Sequence, residues 1–94
     1  MPEMVFRVRW PDSSVQRCYS PSTVVEEHFA AGEEYPVAEF VERSRAALTL
    51  ASERVLARFG FPCSRAAAQL ADIERRAGAF GDESARVVVE AFEK

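Results

Sequence analysis

The sequence predicts an α+β fold of order ββαααβ, a three-stranded sheet packed against a helical layer that one long helix, residues 36–59, dominates. Three observations carry this. Residues 35–60 keep one apolar period of 3.6 without a break, residues 4–10 alternate with period 2, and residues 86–92 hold three consecutive valines.

Met4, Phe6, Val8 and Trp10 fall on one side of the first segment and Val5, Arg7 and Arg9 on the other, as in a half-buried strand. Pro11, Asp12, Ser13 and Ser14 have turn chemistry, and residues 15–19 are expected to return as a second strand. With Trp10 opposite Val15, Val8 faces Arg17 and Phe6 faces Tyr19 on the inner side. Arg9 with Gln16 and Arg7 with Cys18 then share the outer side. A one-residue bulge would reverse the second strand, so the exposure of Cys18 reports the register.

Ser20, Pro21, Ser22 and Thr23 offer candidate caps, and Thr23 with Glu26 has the spacing of a capping box. A short helix to about His28 is expected, ending before Gly32, with residues 31–35 as a connection. In the long helix Val37, Phe40, Val41, Ser44, Leu48, Ala51, Val55 and Phe59 share one stripe, opposite Glu39, Glu42, Arg43, Glu53 and Arg54. Phe40, Leu48 and Val55 should therefore turn toward the sheet, with Pro36 and Gly60 punctuating the ends.

After Gly60, Phe61 and Pro62, either Cys63 or Ser64 is placed to cap a third helix running to about Phe80. Its apolar positions are Cys63, Ala66, Ala67, Leu70, Ile73, Ala77 and Phe80, and the alanines permit a close antiparallel approach to the long helix. Leu50, with Ala46 and Ala57, falls off the main stripe and is expected to meet that helix or a second subunit. Residues 81–84 close the third helix. The valine run then favours a strand beside the first; the alternative is a final helix capped by Asp82, with Ala85, Val88, Val89 and Phe92 on one face.

With 94 residues, 48% hydrophobic and 29% charged, the chain has the size and composition of one folded domain, residues 1–94. A net charge of −3 supplies no field to attract nucleic acid or anionic lipid. No apolar run reaches the roughly 20 residues of a membrane span, and MPEMVFRVRW carries charges where a signal peptide needs an apolar core. A cytoplasmic location and two reduced thiols are therefore expected.

Few residues could carry chemistry. Cys63 sits at a predicted helix N-terminus, where the dipole stabilises a thiolate, but it also continues an apolar stripe. Cys18 beside Arg7 would have a depressed pKa in the plain register; otherwise it is a small hydrophobe in a strand. His28, the only histidine, is expected near the end of a short helix, with nothing to place it near either sulfur. Two distant cysteines and one histidine lack the paired spacing of a zinc site, so no metal and no cofactor is expected. Arg7, Arg9 and Arg17 beside Trp10 read as a solvated strand face rather than a nucleic-acid patch. Glu39 with Arg43 and Glu42 with Arg45 are helix-stabilising pairs.

The segments FRVRWPD (residues 6–12), CYSPS (18–22), YPVAEFVERSRAAL (35–48), ASERV (51–55) and GFPCSRA (60–66) together form a pattern. In these segments the chain resembles the small bacterial nitrogen-starvation response proteins whose genes sit in a conserved cluster with a nitrilase. The likeness weakens after Phe80. It implies a cytoplasmic protein with an accessory role in nitrogen metabolism, beside companions that resemble radical-SAM, acetyltransferase, flavoprotein and ribotide-synthase enzymes. It implies no catalytic residue.

The preferred expectation is a non-catalytic accessory protein that contacts a cluster enzyme or a second copy of itself. The contact would use the Arg7 and Arg9 strand face or the surface of Ala46, Leu50 and Ala57. The alternatives are a thiol enzyme or redox sensor using Cys63 or Cys18, and a small-ligand pocket between sheet and helices near Trp10 and Tyr19.

Overall fold

The computed structural model describes residues 3–61, 63–81 and 84–93. In chain order these form β1 (Met4–Arg9), β2 (Val15–Ser20), a 3-10 helix (Thr23–Glu27), β3 (Glu34–Pro36), α1 (Val37–Phe59), α2 (Ser64–Ala77) and β4 (Arg86–Glu93). The α+β class holds, but the sheet has four antiparallel strands, in the order β2-β1-β4-β3, and the expected first helix is a single 3-10 segment. Five residues between a Ser22 cap and His28 allow little more than one turn, too short to nucleate an α-helix.

The hairpin register differs by one residue from the expected one. Trp10 closes on Ser14 rather than Val15: Trp10 N–H donates to Ser14 O at 2.8 Å and Ser13 N–H to Trp10 O at 2.9 Å. This is a three-residue loop in which Ser13 takes a left-handed φ of 73°. Asp12 braces it by accepting from both the N–H and the hydroxyl of Ser14, which lowers its carboxyl pKa. Phe6 therefore faces Cys18, and Tyr19 faces Val5 on the outer side. Cys18 is fully buried.

The connection expected over residues 31–35 contains a strand. Gly32, at φ 87°, donates to Val89 O at 2.7 Å, and Val89 N–H donates back to Glu33 O at 3.0 Å. That turn lays Glu34, Tyr35 and Pro36 against Val88, Val87 and Arg86. Three residues ending in proline give almost no periodic signal, which is why the strand is invisible in the sequence. The C-terminal segment is a strand beside the first, as its valines indicate. The alternative cap, Asp82, lies outside the described residues, as do Pro62 and Glu83.

A bulge between Arg7 and Val8 sets the pairing of β1 with β4. Val87 and Val89 are buried, and Phe92, opposite Phe6, packs against the same core. Strict alternation from Val89 would turn Phe92 out and Glu93 in; the extra residue restores the apolar phase. The valine run is thus an alternating strand, with Val88 only half-buried, and not one buried on both faces.

Both helices lie on the inner face. α1 begins after Pro36 and ends where Gly60, at φ 82°, donates its N–H to Leu56 O. Val37, Phe40, Ser44, Leu48 and Ala51 of the expected stripe are buried and Ala47 joins them, whereas Val41 is only half-buried and burial stops at Ala51. Val55 is only half-buried and Phe59 is 52% exposed. Twenty-three helical residues span about 35 Å, whereas the six residues of β1 cover about 20 Å, so the helix outruns its sheet. α2 returns antiparallel, joined to α1 by Arg45–Glu74 at 2.8 Å near one end and Cys63 N–H to Ser52 Oγ at 3.3 Å near the other. It stops at Ala77, three residues short of the expected end, because Gly78 closes it and a turn carries Phe80 back to Trp10.

Ser44 is fully buried, and its hydroxyl has no hydrogen-bond partner among the described residues. Removing an unsatisfied buried hydroxyl while gaining helix propensity should help folding. Ser44→Ala is expected to raise the unfolding free energy by about 1 kcal/mol, read as a higher urea midpoint at unchanged slope. A lower midpoint would show the hydroxyl to be satisfied.

Candidate functional site

Trp10 is buried rather than lining an open pocket. Its ring stacks on Phe80 (centroids 5.8 Å apart) and meets Phe40 edge-on at 5.4 Å. A buried indole N–H needs an acceptor, and Nε1 donates to Gln16 Oε1 at 2.8 Å. Gln16 in turn donates to Asp72 at 2.5 Å and accepts from Arg76 at 3.0 Å, so the pair ties β1 and β2 to α2. Trp10 is structural in this arrangement.

Arg7, Arg9 and Arg17 do share the outer sheet face, but they are not a free basic patch. Glu90 lies 3.3 Å from Arg7 and 2.8 Å from Arg9, and Glu93 lies 2.7 Å from Arg17 and 3.6 Å from Arg7. Glu90 lies on this face by plain alternation from Val89, and the bulge that turns Phe92 inward brings Glu93 to it as well. Such exposed pairs contribute little each, yet together they neutralise most of the charge.

Tyr19 stands at the other edge of the sheet beneath Arg65, whose guanidinium is 3.9 Å from the ring centroid. Its hydroxyl donates to Glu3, which also pairs with Arg65 at 3.5 Å. Burial raises the Tyr19 pKa, with Glu3 and Cys63 adding and Arg65 partly opposing. Tyr19 N–H donates to Gln69 Oε1 at 2.9 Å, which occupies the free edge of β2.

The two thiols are free, and they differ. Cys63 is half-buried at the N-cap of α2, where its side chain makes no capping bond. Cys18 faces the core rather than Arg7, and its pKa is pushed up to about 12, by burial first, with Asp72 adding and Arg76 opposing. A depressed Cys18 pKa belonged to the other register. His28 sits against Val24 O at 3.2 Å, at the end of the 3-10 helix. Among the described residues no three His, Cys, Asp or Glu side chains are grouped to hold a metal ion, and no helix is long and apolar enough to cross a membrane.

The open spaces lie between α1 and α2, where the sequence offered no clue. A cleft of about 590 Å³ runs from Pro36, Val37 and Val41 to Ala77 and Phe80. Arg45 crosses its mouth, bonded to Glu42 at 2.5 Å and Glu74 at 2.8 Å, and these bonds raise its pKa further. A smaller groove of about 230 Å³ follows toward the hairpin tip, lined by Leu48, Ser52, Leu56 and Leu70. Leu50 lines neither space and is only half-buried, with Ala46 and Ala57 exposed. Among the described residues the large apolar side chains most open to solvent are Phe61 (64%), Phe59 (52%), Leu56 (46%) and Val15 (45%). Three of them crowd the α1–α2 turn. The unbroken stripe could not reveal this, because a stripe shows which face is apolar and not how far a sheet extends beneath it.

The Cys18 shift has a pH consequence with a definite sign. An unfolded thiol ionises near 9.0, whereas the folded chain holds this proton to about 12, so stability falls as pH rises through that window and is unaffected below it. The decline should exceed that of Cys18→Ala by up to about 1 kcal/mol per pH unit, measured by urea unfolding from pH 8 upward. Equal slopes in the two proteins would refute the buried thiol.

No curated protein and no solved structure is significantly similar to this chain. The family model described as nitrogen starvation-induced protein NitG matches residues 5–92, from β1 to one residue short of the end of β4. The chain therefore belongs to the NitG family of nitrogen starvation-induced proteins.

Proposed function

We propose that this protein is a non-catalytic accessory component of bacterial nitrogen metabolism that works by contact with another protein chain through the free end of its helical hairpin. One observation carries the reading: Leu56, Phe59 and Phe61 stand exposed together where α1 has run past the sheet. Apolar groups concentrated at one end of an elongated body, here 40 × 22 × 17 Å, have the character of an interaction site, and aromatics are enriched in such sites. Enzymes encoded beside a nitrilase, or a second copy of the chain, are the partners this reading expects. The Arg7 and Arg9 face is less suited, because its guanidiniums are already committed to Glu90 and Glu93.

A photo-crosslinking amino acid in place of Phe61, in nitrogen-starved cells, tests this. Adducts of defined mass are expected from position 61 and not from the same group at exposed Ser13. Adducts from neither position, or equally from both, would overturn it.

The cleft favours a second reading, a small ligand with an apolar body held between Val41 and Phe80, with Arg45, Glu42 and Glu74 at its rim. On this reading a ligand raises the melting temperature of the wild type but not of an Ala38→Trp variant that fills the cleft. No shift across nitriles, amides and nucleotides would remove it.

A further inference from the structure

We infer that the free end of the helical hairpin docks head to tail into the α1–α2 cleft of a second copy of this chain. The inference rests on the contact reading above and names its partner. The two surfaces are both apolar at the centre and opposite in charge at the rim. Val37, Val41, Ala77 and Phe80 wall the cleft. At its mouth Glu42, its side chain 73% exposed, and Glu74, 42% exposed, flank Arg45 and pair with it, which leaves the three groups with one net negative charge. Glu27, Glu33 and Glu34 face solvent at the same end of α1.

The projecting end carries the reverse. Phe59, Phe61 and Leu56 form its apolar centre, with Glu53, Arg54 and Arg58 exposed on the same turns of α1 and one positive charge in balance. Arg58 lies over the Phe59 ring at 5.8 Å, and among the described residues neither arginine has a carboxylate partner. An apolar projection whose rim is net basic thus matches an apolar hollow whose rim is net acidic. The cleft falls in the size range that accepts drug-sized bodies, ample for a phenyl ring. The two surfaces sit toward opposite ends of α1, their centres about 25 Å apart, so they cannot meet within one chain.

Other modes of self-association are less favoured. Pairing tip against tip would crowd Arg54 and Arg58 of both copies on one patch. Strand addition is obstructed at both sheet edges, by Gln69 on β2 and by the brevity and proline of β3. A head-to-tail contact is heterologous, so its rotation decides between a closed ring and an open chain.

Sedimentation velocity over a range of concentrations tests the docking, using the full chain, Arg58→Glu, Glu42→Lys, and an equimolar mixture of these two variants. Far-UV circular dichroism verifies that each variant keeps its helices. The wild-type mass should rise above 10.5 kDa with concentration, and each reversal should weaken association at least about tenfold. The mixture should restore it, because the reversed tip then meets the reversed cleft. A monomer at every concentration would overturn the inference. So would association that Glu42→Lys leaves untouched while Arg58→Glu abolishes it. Crosslinks from position 61 to other proteins alone would also overturn it while leaving the contact reading intact; no crosslinks at all would remove both.

Discussion

The structure depends on burying Trp10 with its indole N–H satisfied. The ring lies between Phe40 of α1 and Phe80 from the turn after α2, so one side chain of the sheet holds both helices. Phe29 continues the contact from Phe40 to Phe6 and Tyr35, making an aromatic row through the core. The N–H adds a directional demand that stacking alone lacks. Gln16 meets it and is itself held by Asp72 and Arg76, so the position of α2 and the register of the hairpin share one hydrogen-bond network.

The hairpin register has wide consequences. Closing Trp10 on Ser14, with Ser13 left-handed, puts Gln16 and Cys18 inside and Arg17 and Tyr19 outside. The bulge in β4 makes the matching choice across the sheet, sending Phe92 to the core and Glu93 to the arginines. Each device costs one residue of regular pairing, and together they give an apolar inner face and a charge-balanced outer one. The charge of the three arginines is largely balanced because strand order puts β4, with Glu90 and Glu93, beside β1.

The proposed activity follows from a mismatch of lengths. A helix of 23 residues rests on strands of three to eight, so its last turns have no sheet to cover. Their apolar side chains end in solvent at the tip, while the cleft opens where α1 starts and α2 ends. The thiols are weaker candidates for chemistry: Cys18 is sealed in with a raised pKa, and Cys63, though half-buried at a helix start, has no histidine described beside it.

The elements with a strong period can be read from the residues alone. The long helix, its core residues Phe40 and Leu48, the two hairpin strands, the alanine-rich partner helix and the valine strand beside the first were all legible, because burial of one face imposes a repeat that can be counted. The i,i+4 and i,i+3 pairs of Arg43 and Arg45 were legible for the same local reason. The tertiary structure decided whatever depends on residues far apart in the chain: the three-residue strand β3, the bulge, the pairing of Arg7, Arg9 and Arg17 with Glu90 and Glu93, and the cleft. It also decided where along α1 burial stops. A period records that a face is apolar, but only the assembled sheet has an edge, and at that edge the same stripe changes from core to surface.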